Sequence, residues 1–213
     1  HDDLPCMDDA DLRRGRATPH RIFAEEDVLK AGVLLIPAAS LWAVETSEKW
    51  GLEDSIKKRI IHELNKASGS AGMVGGQYLD LLAEKEVLSH EALEVLHQKK
   101  TGALLGASVT IGALAANADN RLCEHLGRFG HWLGLAFQIK DDLLDATATA
   151  KDLGKHPSDG VHSKSTYVSL HGVEIASQMA TAMKDRALES IAKAGINDPW
   201  LIELAEYALN RTK

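Results

Sequence analysis

The sequence has few cysteines, few aromatic residues and few prolines. Only Cys6 and Cys123 occur in 213 residues, whereas a secreted domain held by disulfides carries a denser cysteine framework. Both are therefore predicted to be free thiols in a reducing compartment. Aromatic residues make up 5% of the chain and hydrophobic residues 45%, which predicts an aliphatic core. Alanine and leucine are abundant, and this favours helices over strands.

The chain also has no excess of basic residues. The 24 Lys and Arg residues against 31 Asp and Glu residues give a net charge of −7, which argues against a nucleic-acid or anionic-membrane surface. The longest apolar run, residues 31–44, is interrupted by Pro37 and Ser40, so no stable membrane insertion is expected. We expect a cytoplasmic protein. A signal peptide is not visible, but the chain begins with His1, so that absence carries little weight.

Over most of the sequence, apolar residues recur at helical spacing. Ser89 is a plausible N-cap, and Asp198 with Pro199 forms a helix start. No convincing alternation of period two is found, and residues 152–166 have the composition of a loop. One all-helical domain over residues 1–213 is therefore predicted, with helical segments at 25–50, 52–69, 75–85, 89–117, 120–147, 172–195 and 198–213.

Like charges are usually dispersed along a sequence, but two clusters of aspartates place them close together. Asp141, Asp142 and Asp145 follow a D-D-x-x-D spacing on a helical pattern, and residues four apart share one helix face. Asp2, Asp3 and Asp8 form the other cluster, D-D-x-x-x-x-D. Carboxylates are hard oxygen ligands suited to Mg²⁺, and neither cluster contains a zinc-ligand spacing.

The first cluster also contains Pro5, which makes an unbroken helix there unlikely to form, and a helix end that bulges and turns is predicted. Basic residues follow each cluster: Arg13 and Arg14 after the first, Lys151 and Lys155 after the second. One cluster alone is usually a solvated helix face. Two clusters, with acids to hold metal and bases to hold phosphate, indicate a diphosphate substrate.

At these residues the sequence resembles the trans-isoprenyl diphosphate synthases, the short-chain group that makes geranyl, farnesyl and geranylgeranyl diphosphates. The segments HDDLPCMDDADLRRG and FQIKDDLLD…LGK…KSTYVSLHG resemble the two aspartate-rich regions of that family. Between them, residues 72–84 resemble its Gly-Gln-x-x-Asp segment and residues 97–109 its Lys-Thr segment. Four motifs agree in order and separation across the whole chain.

The resemblance implies an all-α bundle of antiparallel helices around a deep central cavity, usually in a homodimer. It implies head-to-tail condensation of an allylic diphosphate with isopentenyl diphosphate. The implied ligands of Mg²⁺ are Asp2 and Asp8 from the first region and Asp141 from the second, with Asp3, Asp142 and Asp145 in support. The implied allylic diphosphate site comprises Arg13, Lys100, Thr101, Gln138 and Lys155, and Arg14 lies on the isopentenyl diphosphate side. Asp80 is expected to have a supporting or structural role.

Some positions depart from the family pattern. Val33 stands where the family usually has Asp, and the proline of RGRATPH lies two places from its usual position. The family's helices before the first aspartate-rich region, which carry a Gly-Lys-x-x-Arg segment, are absent from the chain, so we expect it to be part of a longer enzyme. Two alternatives remain: a non-catalytic partner subunit, whose aspartate-rich regions are usually degraded, and a class I terpene cyclase, which consumes one diphosphate instead of two.

Overall fold

The computed structural model describes residues 2–83, 86–147 and 165–211. Within these ranges the chain is almost entirely helical, as the sequence predicts. The helices, numbered here in chain order, are α1 Glu25–Lys49, α2 Asp54–Ser68, α3 Met73–Ala83, α4 His90–His97, α5 Ala103–Ala115, α6 Asn120–Thr147, α7 Tyr167–His171, α8 Val173–Lys193 and α9 Pro199–Asn210. A π-helical turn, Gln98–Gly102, joins α4 to α5.

The centre of the bundle is α6, which packs along α5 on one side and α8 on the other. Phe129, Ala136 and Ile139 of α6 are fully buried. A Cβ atom on Gly130 would lie 2.6 Å from the Cα atom of Gly106 in α5, so the two backbones touch where they cross. This close crossing fixes the position of the last turns of α6, which carry the second aspartate cluster.

The segment before α1 contains the one strand pair among the described residues, and no pattern in the sequence predicted it. Leu12–Arg13 pairs antiparallel with Arg16–Ala17. The two-residue turn between them places Arg14 at φ 53 and Gly15 at φ 75, the backbone of a tight hairpin turn. Each strand is only two residues long, too short to show alternation in the sequence.

Helix α1 exposes most of its large apolar side chains. Leu34, Leu35 and Trp42 are each more than 60% exposed. The helix continues through Pro37. An 18-residue stretch of this helix has a mean hydropathy of 1.6, and none of that stretch is buried. The helix is therefore long and apolar enough to cross a membrane.

Candidate active site

The second aspartate cluster lies on the last two turns of α6. Asp142 points into the protein: its side chain is buried, and its Oδ2 accepts the Tyr167 backbone N–H of α7 at 2.8 Å. Burial raises the pKa of Asp142 to about 7, opposed by this N–H and reinforced by the carboxylates of Asp141 and Asp145. Asp145 is exposed. The cluster therefore has one inward carboxyl that anchors α7 and two that lie nearer the surface.

Asp141 lies beside a basic residue that the sequence analysis did not select. Nη2 of Arg211 donates to Oδ1 of Asp141 at 2.5 Å and to the Phe137 carbonyl at 3.1 Å. Burial raises the pKa of the Asp141 carboxyl, and the Arg211 hydrogen bond and charge partly counter that rise. Arg211 lies 70 residues away along the chain, so no local spacing pointed to this contact.

Lys100 is fixed by the π turn and by α3. Its Nζ donates to Oδ2 of Asp80 at 2.7 Å, and the two side chains are 23% and 17% exposed. Gly76 of α3 lies against the backbone of Lys99 and Lys100. A π turn inserts an extra residue into a helix and is frequent at functional sites. The turn and its glycine contact thus determine where the Lys100 ammonium group lies.

Thr101 follows in the same π turn and reaches across to α6. Its Oγ1 donates to Oε1 of Gln138 at 3.0 Å. Gln138 precedes Asp141 by three residues on α6, so the two share a face of the helix. The structure therefore brings Lys100, Thr101, Gln138 and Asp141 of the predicted set to one end of the bundle.

The first aspartate cluster forms turns instead of a continuous helix, in agreement with the prediction from Pro5. The Asp8 N–H donates to the Asp2 carbonyl at 2.9 Å, and both oxygens of Asp3 accept from Nη1 of Arg13, at 3.1 and 3.2 Å. Arg14 is exposed at the hairpin turn. Asp3 and Arg13, predicted as a metal ligand and a diphosphate ligand, are paired with each other.

One contact links the first cluster to the rest of the site. Nε2 of Gln77 donates to Sδ of Met7 at 3.4 Å. Gln77 lies on α3, one turn before Asp80, and Asp80 holds Lys100. Both residues belong to the Gly-Gln-x-x-Asp segment, which the sequence analysis noted without placing it in the site. Helix α3 thus connects the first aspartate cluster to Lys100.

Aromatic and histidine rings pack behind the second cluster. His97 stacks on Tyr167 with the ring centroids 5.7 Å apart, and Nδ1 of His90 lies 3.1 Å from Nε2 of His171. His97 is 7% exposed. Burial lowers its pKa to about 4, with Lys100 adding to the effect and Asp80 opposing it. His97 is therefore a neutral packing residue at pH 7.

The donor types fit a magnesium ion, although their positions do not form a closed metal site. Among the described residues, no three His, Cys, Asp or Glu side chains lie close enough together to hold a metal ion. Asp141 and Asp145 offer the hard oxygen donors that Mg²⁺ takes with phosphate oxygens, and Asp141 already stabilises a cationic group at one oxygen. Lys155, predicted to bind diphosphate, lies outside the described residues.

Known proteins are similar to this chain over nearly its whole length. Residues 1–197 match the model of the family described as Polyprenyl synthetase. A farnesyl diphosphate synthase of Escherichia coli is 40% identical over all of this chain and 73% of its own length. A dimethylallyltranstransferase of Fischerella ambigua is 39% identical over all of this chain and 61% of its own length. The chain thus spans between three fifths and three quarters of these relatives.

Solved structures agree with the sequence relatives. An FPP/GFPP synthase from Zymomonas mobilis superposes with a TM-score of 0.85 at 34% identity, over 98% of this chain and 70% of that one. A geranyltransferase from Helicobacter pylori, complexed with magnesium and isoprenyl diphosphate, gives a TM-score of 0.77 at 34% identity, over 99% of this chain and 68% of that one. The chain belongs to the polyprenyl synthetase family and has its all-α fold.

Proposed function

We propose that this chain is the larger part of a magnesium-dependent, short-chain isoprenyl diphosphate synthase that condenses isopentenyl diphosphate with an allylic diphosphate. The observation that carries the proposal is the Thr101–Gln138 hydrogen bond, which holds the π turn that carries Lys100 against α6 one turn before Asp141. A lysine and two neutral donors beside carboxylates suit a diphosphate bound with metal. The substrates and magnesium of the relatives support the same conclusion.

The basic, neutral and acidic residues of the site have different roles. Lys100, Arg13 and Lys155 bind the allylic diphosphate oxygens, Thr101 and Gln138 orient that group, and Arg14 binds isopentenyl diphosphate. Asp2, Asp3 and Asp8 on one side and Asp141, Asp142 and Asp145 on the other would hold magnesium, which would supply positive charge to neutralise the departing diphosphate. Positioned cations lower the barrier because they face charge that develops in the transition state.

The carbon chemistry requires a dry, ordered pocket. The allylic C–O bond breaks and its electron pair goes to the departing diphosphate. The isopentenyl double bond then forms the new C–C bond to the allylic carbon, and a proton leaves to the diphosphate. Because both substrates are anionic, the lysine and arginine side chains must cancel their repulsion before the two carbons can approach. Apolar walls keep water from the allylic cation.

The test is an incubation of the purified protein with Mg²⁺, labelled isopentenyl diphosphate and, in separate tubes, allylic diphosphates of five, ten and fifteen carbons. We expect a discrete prenyl diphosphate that chelation of the metal abolishes. Asp141→Ala should lower the rate by orders of magnitude, and so should Asp2→Ala. Asp54→Ala, at an exposed carboxylate of α2, is the matched control. Consumption of the allylic diphosphate alone would indicate a cyclase, and no product would contradict the proposal.

We also propose that two copies associate through the exposed apolar face of α1, as a cytoplasmic homodimer. Leu34, Leu35, Leu41 and Trp42 are each at least 57% exposed, which is unusual for neighbouring large side chains on one helix. A symmetric pair would bury this face against itself. Sedimentation velocity should show a dimer that Leu35→Asp dissociates and Leu204→Asp, at an exposed leucine of α9, does not. A wild-type monomer, or partition of the wild type into vesicles, would contradict it.

A further inference from the structure

The guanidinium group of Arg211 lies in an enclosed place at the second aspartate cluster. Its side chain is 9% exposed, whereas that of Asp141 is 35% exposed. Besides its two hydrogen bonds, the Arg211 guanidinium carbon lies 3.7 Å from the centroid of the Phe137 ring. An arginine over an aromatic face is stabilised by the ring's negative potential. The group is therefore held on three sides, by a carboxylate, a carbonyl and a ring.

The Arg211 side chain extends from the end of helix α9, which is held firmly in the bundle. Oδ1 of Asp198 caps the first turn by accepting the Leu201 N–H at 3.0 Å. Ala205 and Ala208 are buried, and Nζ of Lys184 in α8 donates to Glu206 at 2.8 Å. Arg211 follows the last turn directly, and its N–H donates to the Tyr207 carbonyl at 3.1 Å. The side chain can therefore leave Asp141 while α9 stays in place.

The pairing at Asp141 is incomplete on the arginine side. Nε of Arg211 is buried and has no hydrogen-bond partner among the described residues. An unsatisfied buried donor reduces the stability of an arrangement. A divalent cation at the same carboxylate would repel the guanidinium group, since two positive charges would share one oxygen donor group.

We propose that Arg211 is an internal counter-ion of Asp141 that a divalent cation displaces when it binds to this carboxylate. This inference rests on the proposed function, because it takes Asp141 as a metal ligand. Metal binding at Asp141 and the Arg211–Asp141 contact therefore oppose each other. Metal binding releases the Arg211 side chain, and an anchored Arg211 lowers the affinity of Asp141 for metal. Arg211 is thus a positioning residue that sets metal affinity.

The experiment is a Mn²⁺ titration of the full chain, followed by electron paramagnetic resonance of the free ion, with inorganic diphosphate present. Arg211→Gln removes the charge but keeps a donor for the Phe137 carbonyl, and should bind Mn²⁺ three- to tenfold more tightly than the wild type. Arg211→Lys should stay within twofold of the wild type. The matched control is Arg186→Gln, because the Arg186 guanidinium lies 5.0 Å over the Trp132 ring; its affinity should not change.

Hydrogen exchange gives a readout that does not depend on catalysis. Adding Mg²⁺ and inorganic diphosphate to the wild type should speed exchange of the Arg211 side-chain Nε proton, followed by NMR, at least threefold, and Asp141→Asn should abolish this response. Unchanged or weaker Mn²⁺ affinity in Arg211→Gln would overturn the inference and leave the proposed function intact. Absence of Mn²⁺ binding in the wild type and in Arg211→Gln alike would contradict both the inference and the metal assignment.

Discussion

Gly76 of α3 and Lys100 of the π turn lie in backbone contact. A Cβ atom on Gly76 would come 2.2 Å from the Lys100 nitrogen and 2.5 Å from its Cα atom. No side chain fits in that space, and the neighbouring atoms belong to the main chain, so they cannot rotate away. The position of the proposed diphosphate-binding lysine therefore depends on the absence of one methyl group.

Gly76→Ala is expected to destabilise the protein by about 2 kcal/mol or more, because overpacking forces backbone shifts, and to displace Lys100. Gly112→Ala, in α5, is the matched control: nothing lies within 4 Å of its Cβ position. There the helix propensity of alanine should stabilise the protein by up to about 1 kcal/mol. Urea unfolding of both variants measures these changes, and equal effects would contradict the steric argument.

Asp80→Asn is expected to weaken binding of the allylic diphosphate several-fold without unfolding the protein. The carboxylate holds the Lys100 ammonium at 2.7 Å, and an amide would hold it less strongly because the charge-assisted hydrogen bond is lost. The readout is KM for the allylic diphosphate against kcat. Glu206→Gln, which breaks the comparable 2.8 Å pair with Lys184, should leave KM unchanged; an equal rise in both variants would show a general effect of lost ion pairs.

Thr166→Ala is expected to lower the free energy of unfolding by about 1 kcal/mol. The Thr166 hydroxyl accepts the Ser169 N–H at 3.0 Å, and the Ser169 hydroxyl accepts the Thr166 N–H at 2.8 Å. This reciprocal cap starts α7, whose first N–H binds Asp142. Thr181→Ala, at an exposed threonine of α8, should change stability by a few tenths of a kcal/mol. Urea unfolding of the two variants should separate them.

His97→Phe is expected to make the protein less sensitive to acid. In the folded protein the pKa of His97 lies near 4, below its ordinary value of 6.5. The unfolded chain therefore binds the proton first, and the stability that neutral His97 provides above pH 6.5 is lost as the pH falls to 4. That interval corresponds to at most roughly 3 kcal/mol.

The measurement for His97 is urea unfolding at several values between pH 4 and pH 7. Phenylalanine keeps a ring to stack on Tyr167 and has no proton to gain. The control is His62→Phe, at an exposed histidine of α2, which should retain the acid sensitivity of the wild type. If His97→Phe lost as much stability as the wild type between pH 7 and pH 4, burial of His97 would not be the cause.

Most of the helices could be predicted from the sequence because their apolar residues recur at helical spacing. The segment 120–147 was predicted with the bounds that α6 has in the structure. The single helix predicted over 89–117 is instead divided by the π turn at Gln98–Gly102. Local spacing does not reveal that turn, whose backbone lies in contact with Gly76 on another helix.

The residues of the candidate site could be predicted from the sequence, but their surroundings could not. Asp141, Asp142 and Asp145 were found because their spacing is visible along the chain, as were Lys100, Thr101 and Gln138 through the family resemblance. Their different environments were not visible: Asp142 is buried against α7, whereas Asp141 is paired with Arg211. Val33, which departs from the family pattern, lies exposed on α1 and takes no part in the site contacts described above.

The sequence by itself determined the helical class, the two aspartate clusters and the basic residues that follow them, since these depend on composition and on spacing within one turn or two. The tertiary structure decided which charges meet. Asp80 holds Lys100 across 20 residues and Arg211 reaches Asp141 across 70, and neither distance has a local signature. Such pairs form only when packed helices bring their faces together, because the close crossings at Gly76 and Gly130 leave one arrangement of the backbones.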